Sequence, residues 1–197
     1  MMLAFFRKLG VAVAVGTASA APRAVAGNPA PAIAAARTSS KSGVGSRLKR
    51  SAAAAALCTG LVGGFEGLRT TAYPDPATGR EPWTACFGET EGIRRGDTFT
   101  VAECKAMLAR SLEKYALRME ACVTRPMADE TYAAFLSLSY NVDSGGFCKS
   151  SVARLWNAGE SRASYDAMLR FNRAAGVTMP VLTRRRTQER ALCLKGI

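Results

Sequence analysis

The sequence predicts an α+β fold in which a small antiparallel β element stands beside a mainly helical lobe, with a cleft between the two. Residues 72–98 are rich in Gly, Pro, Thr and aromatic side chains, the composition of turns and short strands. From Thr100 onward the apolar residues recur at helical spacing. At 197 residues and 48% hydrophobic content, the chain can bury the core of one enzyme-sized domain.

In chain order, Arg7 and Lys8 precede an apolar stretch over residues 9–17 and the small residues Ala18-Ser19-Ala20, the layout of a bacterial export signal. That stretch is too short for a permanent membrane span. Residues 21–50 lack aromatic side chains and apolar periodicity and read as a disordered cationic linker. Residues 51–65 are fifteen uncharged, Ala- and Gly-rich positions behind Arg47-Leu48-Lys49-Arg50. They suit either the first helix of the domain or a weakly apolar segment that engages a membrane and later leaves it. The domain proper is residues 66–197.

Within it, Asp-Pro and Thr-Gly turn signals lead to a strand at Trp83–Phe87. Thr100 and Glu103 form a capping box, and Met107, Leu108, Leu112, Tyr115 and Met119 mark the helix that follows. A second helix covers 129–140 and is broken by Asp143-Ser144-Gly145-Gly146. Further helices are expected over 149–157 and 162–170, and a last one over 181–194 behind Pro180.

Charge and cysteine narrow the chemistry. The 27 Lys and Arg outweigh the 15 Asp and Glu, for a formal net charge of +12. Eight of the basic residues precede Glu66, the first acidic residue, so residues 66–197 carry 19 basic and 15 acidic groups, a net of +4. The basic residues are not interleaved with aromatics and form no nucleic-acid motif, which argues against nucleic acid as a partner. Histidine is absent, which excludes His triads, His general bases and the usual His zinc sites; no metal site and no cofactor is expected. Cys58, Cys86, Cys104, Cys122, Cys148 and Cys193 form no CxxC pair. In an exported domain an even number of cysteines points to disulfides, in any of 15 complete pairings. Cys58 stands apart, since it lies in the candidate membrane segment and would be free to pair only after release.

Two carboxylates and a hydroxyl form the candidate site. Glu66 ends the apolar segment between Phe65 and Leu68, a desolvating setting of the kind a general acid requires. Asp75 follows nine residues later on a turn, and Thr84 lies in the strand beside Trp83. Two carboxylates across a cleft are the minimum equipment for cleaving an acetal. Spacing alone is a weak signal, because a surface Glu and a turn-capping Asp would look the same.

The run from Glu66 through Tyr73-Pro74-Asp75 and Trp83-Thr84 to Glu89 resembles the catalytic segment of the phage-type, T4-like lysozymes. Thr100–Cys104 resembles the start of their long inter-lobe helix. Tyr140-Asn141-Val142 with Gly146-Phe147 and Ser150, and Leu182-Thr183-Arg184-Arg185-Arg186 with Glu189–Cys193, resemble two later family stretches. The four motifs keep the family's order over about 130 residues.

The resemblance implies cofactor-free hydrolysis of the β-1,4 bond between N-acetylmuramic acid and N-acetylglucosamine in peptidoglycan, by a monomer. It makes Glu66 the general acid and has Asp75 orient the attacking water or stabilise the oxocarbenium-like state. Thr84 positions that water, Asn141 and Phe147 meet the substrate, and Trp83, Glu89 and Arg186 support the site, Arg186 beside Glu66. Residues 47–65 are similar to the tether of signal-arrest-release endolysins, which implies a phage or prophage enzyme exported to the periplasm of a Gram-negative host and first held in the inner membrane.

Four departures stand out. Asp75 and Thr84 are nine residues apart, wider than usual, so residues 77–82 form a longer hairpin turn. Glu89 replaces the usual His after Gly88, Asp143 a usual Gly, and Phe171 a common Trp. Two other functions compete: a cationic membrane-disrupting or wall-binding protein on an inactive lysozyme fold, and a secreted bacterial muramidase for wall remodelling.

Overall fold

The computed structural model describes residues 45–75 and 79–196. The expected export signal, most of the linker and the first part of the 77–82 turn lie outside the described residues. Residues 45–50, read with the linker, differ from that expectation. Ser46 caps a single helical turn, α1 (Arg47–Arg50), with its Oγ accepting from Leu48 N at 3.1 Å. The turn is held because its basic side chains and backbone N–H groups meet Glu113, Glu120 and Asp129.

Ser51 then caps α2 (Ala52–Glu66) through Ala54 N. Its buried residues are Ala54, Cys58, Val62 and Glu66. Successive members are four apart, so they form one stripe along the helix, and Glu66 is its last residue. Gly67 stops the helix at φ 72°, ψ 154°, a conformation that glycine adopts without steric cost, and turns the chain into the sheet.

The β element is a two-stranded antiparallel sheet of β1 (Arg69–Tyr73) and β2 (Thr84–Cys86), with Tyr73 opposite Thr84 and Arg69 opposite Cys86. Strand β1 begins three residues before the expected β region. The segment after Ile93 closes on it through Ala72 N to Asp97 O and Phe99 N to Thr70 O, at 2.9 and 2.8 Å.

Next comes α3 (Val101–Cys122), whose capping box forms as expected: Thr100 Oγ1 accepts from Glu103 N, and Glu103 Oε2 accepts from Thr100 N at 2.6 Å. The disulfide Cys86–Cys104 fastens β2 to the first turn of α3. Helix α4 (Asp129–Val142) runs through the centre and packs against α2, α3 and α8. Every residue from Thr131 to Asn141 is buried, so apolar and polar side chains alike face protein.

At Asp143 the backbone takes φ 69°, and the side chain accepts from Gly145 N at 3.0 Å, the Asx-type bond that lets Asp stand in for Gly. The chain restarts as the short α5 (Ser144–Cys148), tied to the end of α3 by Cys122–Cys148. Helices α6 (Ser151–Asn157) and α7 (Ser161–Met168) follow. A hairpin of β3 (Arg173–Ala174) and β4 (Val177–Thr178) then leads to α8 (Pro180–Lys195), with Pro180 in its first turn. The mixed α+β architecture expected from the sequence is the one observed. None of the described helices is long and apolar enough to cross a membrane.

The six cysteines resolve into two bridges and two thiols. Cys58 and Cys193, candidates for pairing, are free and fully buried in the core. Burial pushes the Cys58 thiol up to about 12, with Asp129 adding to the rise and Arg47 opposing it.

Candidate active site

Glu66 is placed by the end of α2, where its stripe position turns the side chain inward; that side chain is only 1% exposed. Its Oε1 accepts a hydrogen bond from Arg185 Nη1 at 3.0 Å. Its Oε2 is buried and has no hydrogen-bond partner among the described residues.

The guanidinium on Glu66 therefore belongs to Arg185, one position before the expected Arg186. Consecutive helix residues point about 100° apart, so only one of the two can face α2 directly. Arg185 is held on three sides. Glu189 Oε1 accepts from its Nε at 3.0 Å, and Ser137 O and Oγ both accept from its Nη2 at 3.1 Å. Its guanidinium also lies 4.7 Å from the centre of the Phe65 ring. Arg186 faces Glu189, with Nε 2.8 Å from Oε2 and Nη2 donating to Oε1 at 2.9 Å. Burial pulls the Arg186 guanidinium down to about 10; Glu189 opposes the fall and Arg185 adds to it. Arg185, Arg186, Glu66 and Glu189 thus form a four-charge cluster with side chains at most 1% exposed or wholly buried. Such a cluster persists only because nearly every charge has a partner.

Asp75 sits two residues beyond β1 and is buried. Its backbone is tied into the turn, with Asp75 N donating to Arg80 O at 2.9 Å and Gly79 N donating to Asp75 O at 2.7 Å. Thr84 opens β2, buried, directly across from Tyr73. Tyr73, opposite Thr84, feels the charge of both carboxylates. Burial raises its phenol above the usual value, Arg69 (4.6 Å from the ring centre) lowers it, and both Glu66 and Asp75 push it further up. Both carboxylates therefore act on one tyrosine, and Thr84 is its cross-strand neighbour. Tyr73 carries no expected role in the sequence, where only its place in the run between Glu66 and Asp75 marks it.

The supporting residues sort differently. Glu89 is buried and accepts from Ser111 Oγ at 2.8 Å and Tyr140 Oη at 3.3 Å, so it ties the β element to α3 and α4. Trp83 is half-buried and packs on the core just before Thr84. Asn141 lies in the last turn of α4 with 8% exposure. Phe147, expected at the substrate, is fully buried, its ring centre 5.6 Å from that of Phe135. Its place is in the aromatic core, against Phe135, which also meets Trp156 and Tyr165.

Against known proteins, the family model for phage lysozyme matches residues 63–189. The chain is 35% identical over 148 residues to a SAR-endolysin of Enterobacteria phage P21, covering 74% of this chain and 88% of that one. Its fold is similar to a crystal structure of a P22 lysozyme mutant, with a TM-score of 0.64 and 28% identity over 70% of this chain and 94% of the other. It is also similar to the active form of the P1 phage endolysin Lyz, with a TM-score of 0.60 and 26% identity over 71% and 84% of the two chains.

Proposed function

The chain belongs to the phage lysozyme family, and from that premise we propose that it is an endolysin that cleaves the β-1,4 bond between N-acetylmuramic acid and N-acetylglucosamine in peptidoglycan, with Glu66 as the general acid. The observation that carries this reading is the buried carboxyl of Glu66, fixed through one oxygen by Arg185; the charge of both Glu66 and Asp75 acting on Tyr73, with Thr84 across the strand from it, supports the reading.

Glu66 Oε2, without a protein partner among the described residues, carries the proton given to the glycosidic oxygen. As that oxygen leaves, positive charge develops at the sugar carbon, where the Asp75 carboxylate stabilises it. A water oriented by Asp75 and Thr84 then forms the new C–O bond, and its released proton restores the acid. One water is consumed and one glycosidic bond is broken. Asn141, on the last turn of α4, hydrogen-bonds an N-acetyl sugar. Glu89 holds the β element to the helices and takes no part in proton transfer, in keeping with its bonds to Ser111 and Tyr140.

We further infer that residues 47–65 serve first as a membrane tether in the signal-arrest-release manner, in the inner membrane of a Gram-negative host of a phage or prophage. The similarity to SAR-endolysins and the fifteen uncharged residues behind Arg47–Arg50 support this. On this reading the packed form, with these residues in α1 and α2 and Glu66 at their end, is the released, active one.

The test is turbidity loss of purified peptidoglycan by the full chain and by its Glu66→Gln variant, with product masses read from the soluble fraction. Clearing by the wild type alone, with muramic acid at the new reducing ends, is expected. Equal clearing by both would overturn the reading of Glu66 as the acid, and lysis of intact cells without clearing of purified peptidoglycan would move the weight to membrane disruption by the cationic front of the chain.

A further inference from the structure

We propose that Glu189 is a positioning residue for the acid: from one turn of α8 it both aims Arg185 at Glu66 and cancels the second arginine's charge, so that Glu66 can hold the proton it must donate. The inference rests on the reading of Glu66 as general acid.

A general acid has to be neutral before the transfer and anionic after it. Two buried arginines beside a carboxyl oppose the first condition, because each favours the anion and little water is present to screen them. The charge count shows what Glu189 does. With Glu66 protonated, Arg185, Arg186 and Glu189 sum to +1; with Glu66 ionised the cluster is neutral. Without Glu189 these sums become +2 and +1, and the ionised form is favoured more strongly.

The geometry is specific to that task. Glu189 Oε1 takes three donors, Arg185 Nε at 3.0 Å, Arg186 Nη2 at 2.9 Å and Ser137 Oγ at 2.6 Å, while Oε2 lies 2.8 Å from Arg186 Nε. With Nε on Glu189 and Nη2 on Ser137, Arg185 has Nη1 left to meet Glu66. Arg186 makes no hydrogen bond to Glu66 and acts on the site through charge. Among the described residues, Tyr73 from β1 feels the charge of Glu66, and it feels that of Asp75, just beyond the strand, as well. Helix α4, packed along α2 and α8, contributes Ser137, which does not ionise.

The experiment is the pH profile of kcat/KM on soluble peptidoglycan fragments for the full chain and its Glu189→Gln, Arg186→Gln and double variants. The alkaline limb reports loss of the acid's proton. Removing Glu189 takes away a negative charge, favours the anion and moves that limb to lower pH by about one unit. Removing Arg186 moves it to higher pH, and the double variant returns it close to the wild-type position. A merely structural role for Glu189 would lower kcat and the melting temperature while leaving the limb in place. Unmoved limbs in the single variants, or shifts of the same sign, would overturn the proposal. Should Glu189→Gln not fold, the Arg186→Gln profile against the double variant decides by the same signs. Hydrolysis retained by Glu66→Gln would instead overturn the reading of Glu66 as the acid, a separate result.

Discussion

Glu120 is one of three acidic side chains, with Glu113 and Asp129, that seat α1 and hence the start of the helix that bears Glu66. Its Oε1 accepts from Arg47 N at 2.7 Å and from Tyr132 Oη at 2.6 Å, and its Oε2 lies 3.9 Å from Arg50. Glu120→Ala removes all three. The Arg50 pair is half-exposed and contributes about 0–1 kcal/mol. The two hydrogen bonds to a carboxylate contribute about 1.5–3 kcal/mol each, and the Tyr132 hydroxyl, on a residue only 2% exposed, keeps Ser46 but loses the acceptor for its proton, at a cost of about 1–3 kcal/mol. These overlap, since water enters the space left behind, and the net expected loss is about 3 kcal/mol. For a protein of this size that lowers Tm by roughly 6–12 °C. Glu120→Gln keeps the acceptor and loses only the charge, so about 1 kcal/mol is expected. Thermal unfolding followed by circular dichroism measures both. A Glu120→Ala loss below about 0.5 kcal/mol, or a Gln variant as damaged as the Ala variant, would refute the assignment of the stability to these bonds. Raising the salt concentration in the wild type should reproduce little of the effect, because the screened pairs are the minor contributors.

Other outcomes follow from burial and cross-linking. Ellman's reagent should find no fast-reacting thiol in the native protein and two after denaturation, because Cys58 is pushed up to about 12 and Cys193 is likewise raised by burial; a native thiol reacting within minutes would contradict this. Replacing Cys122 and Cys148 together by serine opens a 26-residue loop and should cost about 3 kcal/mol in denaturant unfolding, with hydrolysis at 25 °C retained. Tyr73, Tyr132 and Tyr165 all have phenols raised chiefly by burial. The folded state thus holds these protons more tightly than the unfolded chain. The resulting stability is present below the ordinary tyrosine range and is lost as pH rises through it, so the urea midpoint should fall between pH 9 and pH 11. Absorbance titration should show Tyr73, Tyr132 and Tyr165 ionising above the ordinary tyrosine range in the folded protein.

Where a local rule decides the conformation, sequence and structure agree closely. The Thr100–Glu103 capping box, Pro180 at the head of α8 and the break at Asp143 all depend on neighbours within four residues. The candidate carboxylates Glu66 and Asp75 stand out through the resemblance of the run from Glu66 to Glu89 to the phage-type lysozymes, since their spacing alone is a weak signal. What stayed hidden depends on distant partners. Strand β1 carries Arg69-Thr70-Thr71, which shows no apolar alternation, and becomes a strand through β2 and the 97–99 segment. Helix α8 has no apolar face to betray that two of its arginines are wholly buried; their burial is set by Glu66 and Glu189. Which of Arg185 and Arg186 touches Glu66 is a matter of helix rotation, and which four cysteines pair is a matter of tertiary distance. Phe147 carried a family motif but no mark separating a ring in the core from one at the cleft.

Helix α2 has to satisfy two environments if the tether reading holds, and its composition separates them by face. The buried stripe carries small or medium residues, Ala54, Cys58 and Val62, which let α2 pack closely along α4 before Glu66 arrives. Gly60 and Gly64 lie on the exposed side, where a Cβ would meet nothing within 4 Å. In the packed domain leucine at these two positions therefore fits without a clash, and it gains about 1 kcal/mol of helix propensity per site. In the membrane each leucine also favours insertion by about 0.5 kcal/mol, while glycine adds no apolar side chain. Gly60→Leu with Gly64→Leu should thus leave the purified enzyme as active as wild type and at least as stable, yet retain more of the full chain in the membrane fraction after export. Pulse-labelling with fractionation of inner membrane and periplasm reads this directly. Unchanged partition of the double variant, together with full activity, would show that residues 51–65 act only as the first helix of the folded domain.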